Sequence, residues 1–317
     1  MTFSLRTGLA ALVAAATFAT GAAAQGWTPP GPITLKISFA PGGGTDTQGR
    51  LIAAALEDRL GWTIIPENVP GRGGLTLADD LRDDPNDGTV IAMAATETFG
   101  YSMLAAQTGW PLSDFTPIVT TASFQMGLVA ASSSGWTTVD DMFAAEHAGQ
   151  TIRLGSLSDK LTDLATLLGE ANGIEFNIVS VNGGGELMNA LMAGDLDVAF
   201  IAGAQSRRVA SGDLVNLASA LSVPLTQTPD APLLRDRGLP FVTDGYFFFV
   251  APGGMPEEAR SAIAAAIAEI VSDPTNPAGE AVATAFGGAT VLMGPELDAF
   301  MQTQYDAAEE LLAVMNQ

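Results

Sequence analysis

The chain has no cysteine, one histidine and only two lysines, Lys36 and Lys160. Without cysteine there can be no disulfide, no thiolate metal site and no thiol nucleophile. The single histidine, His147, cannot build a multi-histidine centre. It follows Glu146 near the expected end of a helix, where a cation complements the dipole. No Gly-x-Ser-x-Gly nucleophile elbow is present. Positive charge is scarce, with 13 basic against 35 acidic residues in 317 and a net charge of −22. Such a surface is a poor partner for nucleic acid or an anionic membrane. Beyond the N-terminal leader, no apolar run is long enough to span a bilayer.

The leader itself is informative. Arg6 precedes an apolar run from Gly8 to Ala19, followed by Ala22-Ala23-Ala24. A single positive charge, a short apolar core and an Ala-x-Ala end describe a secretory signal peptide over residues 1–24, with cleavage expected after Ala24. The alternative, a retained anchor helix, is disfavoured because the run is too short. The expectation is an exported, soluble protein of about two domains. With 47% hydrophobic residues it can bury a sizeable core, which an exported chain without disulfides needs.

The chain is organised around its first 28 residues of regular pattern. Ile33, Leu35, Ile37 and Phe39 alternate with other residues, the period of a strand. Ile52, Leu56 and Leu60 share one face of a following helix, and Gly61 stands where a helix stop belongs. Between them lie Pro41, Gly42, Gly43 and Gly44, then Thr45 and Asp46, both good N-cap types. A strand that turns through glycines into a helix start leaves bare N–H groups, which suit an anion or polar oxygen. The spacing matches neither a dinucleotide fingerprint nor a phosphate loop, so a plain tight turn stays open as the other reading.

The same strand–glycine–helix pattern returns twice. Thr63–Pro66 leads into Asn68-Val69-Pro70-Gly71-Arg72-Gly73-Gly74 and a helix over 75–82; Phe176–Val181 leads into Asn182-Gly183-Gly184-Gly185 and a helix over 186–192. The loops of two separate domains would face each other across a cleft. A buried strand over 90–94 ends at Thr96-Glu97-Thr98, and ligands of open α/β sheets bind at that edge. Strands are also expected within 115–131 and over 151–155, 196–201 and 245–252. Helices are expected over 137–145, from about 160 to Gly173, and over 256–271, 278–286 and 296–315, the last three packing on the first domain. The acidic turn at 83–88 resembles a calcium loop only faintly, because Pro85 takes a required ligand position.

Phe39-x-x-Gly42-Gly43-x-x-Asp46 resembles the opening loop of the tripartite tricarboxylate transporter substrate-binding proteins, the Bug receptors. Asn68-x-Pro70-Gly71-x-Gly73-Gly74 is similar to their second loop. Asp87-Gly88, Asp114-Phe115-Thr116-Pro117-Ile118, Ala190-Leu191-Met192-Ala193-Gly194-x-x-Asp197-x-Ala199-Phe200 and the aromatic strand ending in Ala251-Pro252 follow in the family's order. The resemblance implies a type II periplasmic-binding-protein fold: two α/β domains joined by crossing strands, with the ligand cleft between them. Domain 1 would be discontinuous, 25–124 and 245–317, and domain 2 would run over 125–244.

The function so implied is capture of a small organic carboxylate by a monomer that delivers it to the membrane permease subunits of a tripartite transporter, with no enzyme activity and no cofactor. The carboxylate would be a di- or tricarboxylate or an aromatic one, held by N–H groups, hydroxyls and ordered waters. Matched ligand-binding positions are Phe39, Gly42, Gly43, Thr45, Asp46, Thr96, Thr98, Ser156, Ser158, Gly183 and Gly184. The chain departs from the family pattern at Ser156-Leu157-Ser158-Asp159-Lys160, which lacks glycines, at Val181 and Asn182, and at Arg72.

Rival readings stand beside these. Asp46 could be a plain N-cap, Arg72 and Lys160 solvated charges, and Phe99, Tyr246 and Phe247 core residues rather than pocket walls. The protein could instead be a sensory receptor docking on a membrane kinase. An exported hydrolase using Ser156 or Ser158 would lack a base.

Overall fold

The structure is a computed structural model that describes residues 27–315, so the leader and its cleavage site lie outside the described residues. The first strand, β1 (Ile33–Ile37), has four of its five residues buried. Its alternation is hidden because it runs in the interior of a sheet covered on both faces. Even Lys36 is buried there, and its ammonium bonds Asp80 at 2.6 Å and also Asp84.

Helix α1 (Gly44–Leu60) ends at Gly61, which takes the left-handed conformation and donates its N–H to Glu57. Its buried side runs through Gln48, Gly49, Ile52, Ala53 and Leu56. The expected apolar face is cut short, since Leu60 is 47% exposed. Gly49 allows the helix to approach the sheet: a Cβ there would stand 3.2 Å from Ile37 and 3.3 Å from Met93.

The chain continues through β2 (Ile64–Asn68), α2 (Leu75–Arg82), β3 (Val90–Ala95), α3 (Tyr101–Ala105) and β4 (Phe115–Ser123). After β5 (Met126–Ala131) come α4 (Val139–His147), β6 (Ile152–Ser156), α5 (Asp159–Asn172), β7 (Phe176–Ser180), α6 (Gly184–Ala193), β8 (Val198–Ala202), α7 (Ser206–Ala210) and β9 (Leu214–Ser219). The last elements are β10 (Tyr246–Pro252), α8 (Glu257–Ser272), α9 (Pro277–Phe286) and α10 (Gly294–Met315).

Two five-stranded sheets result, ordered β2-β1-β3-β10-β4 and β7-β6-β8-β5-β9. In the first, β1 pairs parallel with β2 and β3, while β10 enters antiparallel between β3 and β4. The second repeats the scheme, with β6 parallel to β7 and β8 and with β5 antiparallel to β8 and β9. The sheets exchange chain twice. Strands β4 and β5 are separated only by Phe124 and Gln125 yet belong to different sheets, and the chain returns between β9 and β10.

Helices α8 and α10 pack on β4, and α9 packs on α1, so the C-terminal helices close the first sheet as expected. Capping follows simple chemistry. Thr138 and Asp141 form a reciprocal capping box at α4, and the Asn276 side chain accepts from Ala278 and Gly279 at α9. His147 is exposed at the end of α4 beside the Asn172 carbonyl.

Aromatic rings tie β10 to the core. Phe99 meets Phe115 at 4.7 Å and Phe248 at 5.4 Å, both edge to face. Phe99 is therefore a core residue and does not line the cavity between the glycine loops. Phe248 is fully buried. The Phe248→Ala variant should lose roughly 3–5 kcal/mol of stability. Urea unfolding should show a lower midpoint at an unchanged slope.

Candidate ligand-binding site

The two glycine loops meet. The Ala40 N–H donates to the Asn182 carbonyl at 3.0 Å, a backbone bond from one sheet's loop to the other's. A Cβ on Gly43 would lie 3.2 Å from the Gly184 nitrogen, one on Gly183 would lie 2.9 Å from the Ala40 Cβ, and one on Gly185 would lie 3.0 Å from the Gly42 carbonyl carbon. Contact this close requires glycine on both sides. Gly42 also needs to be glycine for its own conformation, at φ 87°.

The loops bring two helix starts to one place. Gly43 is the N-cap of α1 and Gly183 that of α6, and neither helix has a side-chain cap. The first-turn N–H groups, which have no partner inside a helix, are left without a side-chain acceptor. Both starts border a cavity of about 50 Å³. Gly43, Gly44 and Thr45 line it from one side and Gly184 from the other. The remaining wall is apolar, with Phe39, Phe124, Met126, Leu157, Leu161 and Phe247 among its members. Glu97 is the one titratable side chain in the lining.

Asp46 supports the first loop from within. It is not the N-cap, since helix α1 begins two residues earlier at Gly44. Its carboxylate accepts from the Gly42 N–H at 2.9 Å, the Asn68 amide at 2.9 Å and the Arg50 guanidinium at 2.8 Å. Asn68 donates as well to the Phe39 carbonyl, so the second loop braces the first. Burial works against the charge, yet the bonds from Gly42, Asn68 and Arg50 hold the Asp46 carboxyl below its ordinary 3.8.

Of the eleven positions singled out from sequence, Phe39, Gly43, Thr45 and Gly184 line the cavity. Gly42, Asp46 and Gly183 shape its loops. The other four, all hydroxyls, bond groups of the protein. Thr96 accepts the Tyr246 N–H, and Thr98 donates to the Gly73 carbonyl at 2.8 Å. Ser156 donates to the Ser158 carbonyl, while Ser158 caps α5 by accepting from Leu161. These groups satisfy backbone at the cleft's edge.

Arg72 is exposed on the rim, at a positive φ of 51°. Lys160 is buried: desolvation pushes its ammonium down from 10.5, against the opposing pull of Glu97 and Asp244. Tyr246 pairs with Phe300, whereas Phe247 reaches the cavity. Glu97 was missed from sequence. The available signal was an acid standing between two hydroxyls directly after a fully apolar strand end.

Two sheets that exchange strands, with a cavity between facing glycine loops, define a periplasmic-binding-protein fold. Solved structures agree. BugD, described as a periplasmic binding protein, superposes with a TM-score of 0.80 at 22% identity, covering 90% of this chain and 98% of that one. MatC of Rhodopseudomonas palustris with bound malate superposes at 0.76 and 22% identity, covering 90% and 99%. BugT of Bordetella pertussis is 27% identical over 266 residues, which is 80% of this chain and 77% of that protein. The model of the tripartite tricarboxylate transporter family receptors matches residues 49–305. The chain belongs to that family, whose members are periplasmic solute receptors and not enzymes.

The Asp46 brace has a pH signature. A carboxyl held low in the folded state stabilises fully above its unfolded value and loses that contribution as pH falls through the folded one. The Asp46→Asn variant should therefore melt below the wild type at pH 7. The gap should close on acidification below about pH 4, where the ordinary carboxyl range begins. Thermal melts of both proteins from pH 7 to pH 2 would test this.

Proposed function

We propose that this protein captures a small organic carboxylate between its two glycine loops and delivers it to the membrane subunits of a tripartite transporter. The observation that carries the reading is the meeting of two uncapped helix starts, α1 and α6, on one small cavity. Each helix N-terminus offers unpaired N–H groups and about half a positive charge. Two of them converge where the rest of the wall is apolar, and an apolar surround strengthens electrostatic contacts.

The net charge of −22 does not oppose this. Screening confines surface fields to about 10 Å at ordinary salt, whereas N–H donors act at hydrogen-bond distance. The malate held by MatC is in keeping with a carboxylate ligand. The division into 25–124 with 245–317 and 125–244 would place the hinge in the two crossings, and closure about it would complete the site. A monomer exported by cleavage after Ala24 completes the proposal.

Purified protein, stripped of carried-over ligand by unfolding and refolding, should show a raised melting temperature with a carboxylate of the right class. At about 100 times its dissociation constant, a ligand that binds only the folded state adds roughly 2.7 kcal/mol. A panel in which no carboxylate shifts the melt overturns the assignment.

Closure has its own test. Gly183 is extended, at φ −170°, so a larger residue is allowed there by backbone and is opposed only by Ala40 across the cleft. The Gly183→Val variant should push the two loops apart and weaken ligand binding by about tenfold or more, because the closed state in which they touch is depopulated. Calorimetric titration of variant and wild type measures it.

A further inference from the structure

Glu97 follows β3 and is 7% exposed. It borders the cavity, and its Oε2 is buried with no hydrogen-bond partner. A carboxylate oxygen removed from water and left without a donor is an unfinished contact, and such atoms are rare in folded proteins. Of the side chains lining the cavity, only the Thr45 hydroxyl could donate, and Glu97 Oε2 is not bonded to it.

The neighbouring charges show which kind of donor is missing. Glu97 also borders a second cavity, together with Lys160 and Asp244. Lys160 feels both carboxylates. Asp244 is already partnered, accepting the Ser222 N–H at 2.9 Å. Two carboxylates face one ammonium, so the cluster keeps an excess negative charge when all three are ionised. That excess lies beside an apolar cavity, where charges are poorly screened.

We infer that the ligand carries a protonated amine beside its carboxylate, and that Glu97 Oε2 accepts a hydrogen bond from that amine. The substrate class is a small zwitterionic amino acid. The carboxylate sits on the starts of α1 and α6 and the ammonium on Glu97. A second carboxylate placed at Glu97 would instead meet a like charge with no side-chain cation in the lining. The inference rests on the carboxylate-receptor reading and narrows it.

The test uses matched sets of probes that share a carbon skeleton: L-alanine, lactate and propionate, and L-aspartate, malate and succinate. Each is titrated calorimetrically at pH 7 into refolded wild-type protein. Within at least one set the amine should bind roughly 10- to 100-fold more tightly than both its hydroxy and its unsubstituted analogue, the range of a hydrogen bond to a charged group. Glu97→Gln should abolish that preference while keeping the weaker carboxylate binding.

If the variant fails to fold, the wild-type preference still decides. Equal or tighter binding of the analogues overturns the amine assignment and leaves the carboxylate receptor standing. A preference that survives Glu97→Gln overturns the role of Glu97. Failure of every probe, and of the wider carboxylate panel, overturns both readings.

Discussion

The structure depends on a backbone approach that only glycine permits. Gly42, Gly43, Gly183, Gly184 and Gly185 let two loops touch main chain to main chain, joined by the bond from Ala40 to Asn182. A Cβ on Gly183 or Gly185 would come within about 3 Å of the opposite loop, closer than real Cβ atoms pack. The absence of side chains explains several features together. It lets α1 and α6 start face to face, keeps their first N–H groups uncapped, and makes the cavity small. It also leaves each loop without internal stiffness. The missing rigidity comes from the Asp46, Asn68 and Arg50 brace, which holds the first loop from behind without entering the cavity.

Polar groups in this protein divide by distance from solvent. The many surface acids set a diffuse negative field that salt weakens. Inside, a few charges act at close range in small clusters. Lys36 is locked between Asp80 and Asp84 beneath the first sheet, and Lys160 lies near Glu97 and Asp244 beside the cleft. The first cluster is satisfied and structural. The second retains an unpartnered carboxylate oxygen, and it lies where the two halves of the chain meet. A further link spans the same seam, where the Tyr101 hydroxyl donates to Asp163 on α5.

Much of this was legible beforehand. Period-two alternation exposed β1, glycine punctuation exposed the loops, and the order of short motifs pointed to the family and the two-sheet fold. The failures have physical causes. Helices α3 and α7 are five residues each, too short for a helical period to register, and β9 lies beyond α7 with Asn216 interrupting its apolar run. Leu60 continued an apolar stripe in sequence, although burial along α1 stops at Leu56. Thr96, Thr98, Ser156 and Ser158, named as ligand contacts, also bond groups of the protein, a second use that sequence does not reveal because Ser and Thr at a strand's edge serve a ligand or the backbone equally well. Asp46 looked like a cap because Asp caps helices, yet the helix starts earlier, at glycine. Glu97 was overlooked because the two hydroxyls beside it drew the reading, and an acid reads as surface even at the end of a buried strand.

The scarcity of lysine acquires a meaning once both are located. Lys36 and Lys160 are 6% and 9% exposed, so no lysine amine stands on the folded surface. An amine-directed reagent finds both lysines shielded in this structure. Lys36 is sealed by its own sheet and its two aspartates, whereas Lys160 is covered partly by residues of the opposite half. On the proposed closure, parting of the two halves would uncover one nucleophilic side chain, so that Lys160 would report chemically whether the cleft is open or shut.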